Sequence, residues 1–229
     1  MSRAVIVCPL KREARALRLA VRSRIHIIVS GPGPDRIARV CADILSASKS
    51  EPKPKLILLC GLAGGLSNCQ PVPRVAKIIN QDASTFVPPV CMAPDDASIS
   101  SITLLGLDEP VTTPERKSTH AQSFGASLVD CESHVFARFM DQAGVQWGVI
   151  RGVSDGPKDR LPEDIGSWVT ASGGVKLWYV LFRLLIQPTL LPTIIRVALR
   201  SRRALRRVGV TARELLITQG IDPFAQPKI

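Results

Sequence analysis

The chain has 229 residues, 30 Lys and Arg against 19 Asp and Glu, and a formal net charge of +11. Hydrophobic residues make up 45%, enough for a packed core and too many for a disordered chain. The length fits one domain, and an aromatic content of 4% argues against an RNA-binding aromatic platform.

Arg3–Cys8 reads as a strand, and its apolar run is too short for a secretory signal. Lys11–Val21 places Ala14, Leu17 and Val21 on one helical face. Ile25–Ser30 is a second strand, ending in the turn Gly31-Pro-Gly33, after which Asp35 caps a helix to about Ala47. Glu51-Pro-Lys-Pro54 breaks the chain. Lys55–Cys60 is a third strand, followed by a loop, Gly61-Leu-Ala-Gly-Gly-Leu66. Shorter strands are expected at Ala76–Ile79 and Ile102–Leu105. Ser127–Asp130 runs into a helix from Glu132 to Ala143, and Trp147–Arg151 is a strand ending in the loop Gly152-Val-Ser-Asp155. No uncharged apolar stretch reaches the 18 residues of a spanning helix. The six cysteines form no C-x-x-C pair, and several sit in apolar runs as small core residues.

Strands alternating with helices, many of the strands apolar throughout, predict an α/β sheet covered on both faces. Functional loops in such sheets gather at the carboxyl ends of the strands. The segments after Cys8, at Gly31–Gly33, at Gly61–Gly65 and at Ser154-Asp155 fit that placement. The glycine loops lack the third Gly of a dinucleotide fingerprint and the Lys-Ser/Thr of a P-loop. They are turns needing positive φ, or places where backbone approaches a ribose or phosphate. In Asp130-Cys-Glu-Ser-His134, Glu132 stands at a helix start, where it can bind sugar hydroxyls or simply favour the first turn. His134 carries no catalytic assignment. In Arg151-Gly-Val-Ser-Asp155, Asp155 is a general-acid candidate or a turn residue. Glu13 follows the first strand by five residues and can equally be a solvated helix acid.

The order of these motifs is more specific than any one of them. An early strand with Glu13, then Ser-Gly-x-Gly, Gly-x-Ala-Gly-Gly-Leu, Val-Asp-x-Glu-Ser and Arg-x-x-Ser-Asp resembles the purine nucleoside phosphorylase and methylthioadenosine/S-adenosylhomocysteine nucleosidase superfamily. The resemblance covers about residues 3–160. Leu161-Pro162, Gly106-Leu-Asp-Glu-Pro-Val111 and the tail from Gln187-Pro188 to Arg-Arg-Ala-Leu resemble, within it, the hopanoid-associated phosphorylases, which release adenine from adenosylhopane.

The resemblance implies a single-domain, three-layer α/β fold with a central mixed sheet flanked by helices. It implies cleavage of the N-glycosidic bond of an adenine nucleoside with a bulky 5′ group. The alternatives are a methylthioadenosine/S-adenosylhomocysteine-type nucleosidase and a catalytically degenerate nucleoside-binding scaffold. Asp155 matches the acid at purine N7, positioned by Ser154. Glu132 matches the carboxylate on the ribose hydroxyls, Glu13 the residue orienting the nucleophilic water, and Arg151 an arginine near the nucleophile. Gly33, Gly61, Ala63, Gly64 and Gly65 would shape the ribose and nucleophile pocket. No metal or organic cofactor is implied, inorganic phosphate is a candidate co-substrate, and relatives imply a homo-oligomer. Leu62 replaces a usual Ser or Thr, Cys131 a usual Met packed under the ribose, and Pro73-Arg74 a usual Gly-Asp. The stretch between Gly65 and Gly106 is short by about one helix.

From Ile165 to Arg213 there are nine bases and no acid, so +9 of the +11 lies there. Pro188 and Pro192 split this stretch into two helical segments, and in Ile194–Val208 the residues Ile194, Val197, Leu205 and Val208 share one side. An Arg-rich amphipathic segment bearing Trp and Phe suits an anionic membrane surface; the alternatives are a C-terminal helix packed on the sheet with a solvated Arg face, and a polyanion-binding tail. The expected organisation is a catalytic domain over 1–174, a basic helical extension over 175–215 and a flexible tail over 216–229. The expected location is cytoplasmic, peripheral at the inner face of the membrane, with nucleic acid not expected as a partner.

Overall fold

The computed structural model describes residues 4–21, 25–47, 54–91 and 101–223. The elements in chain order are β1 (Ala4–Cys8), α1 (Lys11–Ala20), β2 (His26–Val29), α2 (Pro34–Ala47), β3 (Leu56–Gly65), β4 (Arg74–Ile79) and β5 (Thr85–Phe86). They continue with β6 (Ser101–Gly106), α3 (Pro114–Phe124), β7 (Leu128–Asp130), α4 (Ser133–Gln142), β8 (Trp147–Asp155), α5 (Leu177–Ile186) and α6 (Leu191–Thr218). Residue 3 of the first expected strand, residues 51–53 of the expected break and residues 224–229 of the expected tail lie outside the described residues.

The strands form one mixed sheet in the order β2-β1-β3-β7-β6-β4-β5, with β8 paired to β3. Strand β3 is its hub. It runs parallel to β1 over Leu56–Leu59 and to β8 over Ile57–Gly64, and antiparallel to β7 at Gly64 and Gly65. The wholly apolar strands are explained by two covered faces. Val5, Val7, Ile57 and Leu59 pack towards Ile37 and Cys41 of α2 and Phe136 and Met140 of α4. Ala4, Ile6, Cys8, Leu56, Leu58 and Cys60 alternate with them and pack towards Leu17 of α1 and Val208, Ala212 and Leu216 of α6. The result is the expected three-layer arrangement of helices, sheet and helices.

Several elements differ from the sequence expectation. The stretches Gly61–Gly65 and Gly152–Asp155 are not loops but continue β3 and β8, with Gly61 opposite Arg151 and Leu62 opposite Gly152. Helix α2 starts at Pro34, so Asp35 lies inside its first turn, favoured by the helix dipole rather than capping. Helix α4 starts at Ser133, with Glu132 at the N-cap. Helix α3 was not expected, because its sequence PERKSTHAQSF has no apolar stripe. Its ends carry the signals: Thr113 accepts a hydrogen bond from Arg116 N at 3.3 Å, Pro114 opens the first turn, and Gly125 ends the helix at φ 59°.

The boundary expected at residue 175 does not follow the packing. Helix α6 runs for 28 residues, and its residues Ala204, Leu205, Val208, Ala212, Leu215 and Leu216 are buried as part of the domain. Among the described helices, α5 and the start of α6 stand clear of the core. Close approach of α6 to β8 requires Gly152, where a Cβ would stand 2.9 Å from Ala204 Cβ and 3.0 Å from Val208 Cγ2. Gly152→Val is expected to push α6 from the sheet and to lower stability by about 1–3 kcal/mol, measured as a fall in the urea midpoint at unchanged slope.

Candidate active site

The carboxyl ends of the strands converge on a cavity of about 220 Å³. Glu13 reaches it from α1, Leu62, Ala63 and Gly64 from β3, Asp130, Cys131 and Glu132 from the end of β7, and Ser154 and Asp155 from β8. Its remaining wall is mainly apolar, with Leu10, Val111, Leu161 and Val169.

Glu13 is 2% exposed, which excludes a solvated helix acid. It is the third residue of α1, so its side chain turns back to accept from Leu10 N at 2.8 Å, as in half a capping box. The other oxygen accepts from Leu62 N at 2.9 Å. Burial pushes its carboxyl above the usual range, opposed by the Arg151 charge and by these two backbone N–H groups.

Glu132 leaves the capping of α4 to Asp130, whose Oδ1 accepts from Ser133 Oγ at 2.6 Å and Ser133 N at 3.1 Å. Freed from that duty, Glu132 Oε1 accepts from Gly33 N at 2.9 Å. Burial pushes the Glu132 carboxyl up to about 7; Arg151 and the Gly33 N–H oppose the shift and Asp130 adds to it. The thiol of Cys131 is pushed well up by burial and by the neighbouring carboxylates, which keeps it neutral.

Arg151 is completely buried behind the cavity rather than lining it. Its Nη2 lies 2.5 Å from Asp130 Oδ2 and 3.4 Å from Glu132 Oε2. Burial works against the guanidinium charge, but Asp130, Glu132 and Glu13 more than restore it. Gly61 also lies behind the wall. A Cβ there would stand 2.6 Å from Arg151 Nη1 and 2.9 Å from Glu13 Oε1, so the glycine makes room for the ion cluster rather than for a turn. Gly65 backs Asp155, whose carbonyl oxygen would be 2.8 Å from a Cβ there.

Asp155 Oδ1 accepts from Ser154 Oγ at 2.5 Å, and Ser154 Oγ is 3.1 Å from Ala63 O. Asp155 Oδ2 pairs with Lys117 Nζ at 2.5 Å. Lys117 is fully buried, and its other donors meet the carbonyl oxygens of Gly156 at 2.9 Å and Asp159 at 3.0 Å. All three ammonium protons are thereby satisfied. Asp159 in turn accepts from Gly156 N at 2.7 Å and pairs with Arg200 at 2.6 Å and Arg196 at 3.3 Å.

The structure therefore brings Glu13, Cys131, Glu132, Ser154, Asp155, Ala63 and Gly64 to one cavity, with Gly33 joined through its N–H. It places Arg151, Gly61 and Gly65 behind the wall. Sequence reasoning missed Lys117, Asp130 and Asp159. Asp130 was within a motif but without a role. For Lys117 the available signal was the Thr-Pro start and Gly end of α3, which frame a helix whose one buried side chain is this lysine.

Residues 93–172, which hold both acidic motifs and Lys117, match the phosphorylase superfamily. No curated protein matches the sequence. Among solved structures, the chain is similar to a Neisseria meningitidis 5′-methylthioadenosine/S-adenosylhomocysteine nucleosidase in complex with methylthio-immucillin-A. The TM-score is 0.64 at 15% identity, over 95% of this chain and 100% of that one. It is also similar to a mutant of the Helicobacter pylori nucleosidase with 5′-methylthioadenosine in the active site (TM-score 0.60, 13% identity, 96% and 98% covered). A third is the futalosine hydrolase of Helicobacter pylori (TM-score 0.59, 14% identity, 95% and 96% covered). The chain has the nucleoside phosphorylase and nucleosidase fold. Within this nucleosidase fold, the buried Lys117–Asp155 pair gives a direct test of how the site is held. Lys117→Met leaves a buried carboxylate without its partner and is expected to cost about 3–5 kcal/mol in urea unfolding. Adding Asp155→Leu should recover most of that loss, because removing both charges removes the imbalance.

Proposed function

We propose that the protein cleaves the N-glycosidic bond of an adenine nucleoside with a bulky apolar 5′ group, releasing adenine. Adenosylhopane, in hopanoid biosynthesis, is the substrate favoured by the sequence resemblance. The observation that carries the reading is the convergence of Asp155, Glu132 and Glu13 on one cavity. The three acids divide the work of a dissociative cleavage. As the C1′–N9 bond breaks, its electron pair leaves with the base and positive charge develops on the sugar.

In this reading purine N7 lies against Asp155. The Lys117–Asp155 pair carries the proton that the departing base needs. It passes from Nζ through the Asp155 carboxyl to N7, with Ser154 holding the other carboxyl oxygen. Glu132, as a carboxylate, binds the ribose hydroxyls and stabilises the cationic sugar at short range in a dry site. Glu13, held by two backbone N–H groups, orients the attacking water and takes its proton; that proton returns to Lys117 by way of solvent in the cavity and the Asp155 carboxyl. With phosphate as the nucleophile, the sugar leaves as its 1-phosphate, and the proton that hydrogen phosphate sheds on forming the ester replaces the one Lys117 gave. Leu62 presents a backbone N–H to Glu13 and an apolar side chain to the cavity, where a hydroxyl would otherwise hold the nucleophile.

The methylthioadenosine/S-adenosylhomocysteine nucleosidase reading uses the same residues and is supported by the fold likeness. One assay separates the two: adenine release, followed by chromatography, from adenosylhopane and from methylthioadenosine, each with and without phosphate. Release from adenosylhopane is expected, with phosphate dependence marking a phosphorylase. Turnover of methylthioadenosine alone would move the assignment to the second reading, and turnover of neither to a binding scaffold. Asp155→Asn, checked for folding by circular dichroism, is expected to lower kcat by about 10²–10⁴-fold.

Glu132 sets the pH dependence. Its carboxyl titrates near 7 and must be ionised to stabilise the cationic sugar. The rate is therefore expected to rise with pH through about 7 and to be lost below it. Glu132→Gln should remove the limb near 7 and lower the rate, leaving only the pH dependence of the remaining groups, Glu13 among them.

A further inference from the structure

Helix α5 has the reverse of the usual polarity of a surface helix. Nine of its ten residues, LWYVLFRLLI, are apolar or aromatic, and none is buried. Leu177, Trp178, Leu181, Phe182, Leu185 and Ile186 form its exposed side, with Trp178 84% and Leu185 80% exposed. Its polar atoms turn instead towards the body, where Asp164 accepts from Tyr179 Oη at 2.9 Å and pairs with Arg183 Nε at 3.1 Å. The stripe facing solvent holds no charged group. Such a contiguous apolar surface marks an interaction site.

Helix α6 leaves α5 at an angle of 113° across Pro188. Its stretch from Arg196 to Arg207 carries Arg196, Arg200, Arg202, Arg203, Arg206 and Arg207, and no acid occurs between Ile165 and Arg213. Arg196 and Arg200 pair with Asp159. The other four have no ion-pair partner among the described residues. Arg203 is about 18 Å along the helix from Leu191, at 1.5 Å per residue. On the α1 side, Arg202 and Arg206 join Arg12 and Arg15 around a groove of about 660 Å³ beside the exposed Leu19.

We propose that α5 and the arginine-bearing stretch of α6 dock the protein on an anionic lipid bilayer, with α5 lying in the interface. Ten residues span about 15 Å, half the hydrocarbon thickness of about 30 Å, so α5 does not cross the membrane. Among the described residues no single helix is long and apolar enough to do so. Trp and Tyr beside aliphatic side chains suit the level of the headgroups, and arginines just beyond the elbow meet their negative charge. A second copy of the chain fits less well, because it would bring the same acid-free arginine collar against this one.

Trp178 provides the readout, since Trp147 and Trp168 are only 1% and 5% exposed. The full chain is mixed with vesicles of phosphatidylcholine alone or of phosphatidylcholine with phosphatidylglycerol. Binding is followed by co-sedimentation and by Trp emission. Anionic vesicles are expected to sediment the protein and shift the Trp178 emission to the blue, and Trp178→Phe to abolish the shift. Replacing Trp178, Phe182 and Leu185 together by Ser should weaken partitioning by at least about tenfold. Arg202→Gln with Arg203→Gln should weaken it by about tenfold or more, for anionic vesicles only. Neither variant should move the melting temperature, as all five side chains are exposed. Protein remaining in the supernatant with unshifted emission for both vesicle types would overturn the proposal. So would an emission that shifts with protein concentration in buffer alone, with the triple Ser variant monomeric by sedimentation, which would assign the surface to a second copy. Binding of a DNA duplex in place of vesicles would assign the arginines to a polyanion and overturn it equally.

Discussion

One completely buried guanidinium, that of Arg151, sets the electrostatics of the cavity. Three carboxyl groups, from Glu13, Asp130 and Glu132, surround it, and all three are themselves buried. An isolated carboxylate in such a place would take up a proton rather than bear the loss of hydration. One positive charge cannot fully compensate three negative ones. Asp130 holds the closest pairing, and burial, opposed by Arg151 and reinforced by Asp130, drives the Glu132 carboxyl to about 7. The same charge that secures the floor of the cavity therefore leaves one wall residue able to gain or lose a proton near neutrality.

That arrangement constrains the backbone on the neighbouring strand. Parallel pairing of β3 and β8 sets Gly61 opposite Arg151. A side chain at 61 would collide with the guanidinium and with Glu13. The glycine-rich stretch thus belongs to the ion cluster as much as to the cavity. It also explains an error of sequence reading, which treats glycine clusters as turns because most of them are. Here the glycines lie in an extended strand and provide space, a property invisible until the residue opposite is known.

The sheet was legible because its strands are buried on both faces and so read as continuous apolar runs. Glu13, Glu132, Ser154 and Asp155 were legible because each follows or ends such a run, and the sheet brings strand ends together. Lys117 was not, for a physical reason. Its helix offers only Ala121 and Phe124 to the core, and its one buried group is a charge that becomes tolerable only beside Asp155, 38 residues away. The division of the C-terminal region was misplaced on similar grounds. Charge changes abruptly at residue 165, whereas packing changes near residue 200, where small and aliphatic side chains of α6 begin to meet β8 and α1. Charge patterning reports what a surface carries, and burial alone reports where the domain ends.

The turn at residues 156–159 ties these parts together. From one side Lys117 donates to the Gly156 and Asp159 carbonyl oxygens while pairing with Asp155. From the other, Arg200 and Arg196 of α6 hold the Asp159 carboxylate. Burial pushes that group up, but the Gly156 N–H and Arg200 keep it below the usual range. A second route runs through the chain itself: Val169, on the cavity wall, bridges Val175, two residues before α5 begins. The α5–α6 elbow is thus joined to both sides of the cavity, by ion pairs to the Asp155 side and by a short length of backbone to the apolar wall. Groups that hold the elbow stand one or two contacts from Asp155, and Val169 links the apolar wall to the stretch leading into α5. Under the two proposals, the basic apolar segment and the acidic cavity serve one substrate, the first docking on the bilayer that holds its lipid-like body and the second cleaving its nucleoside.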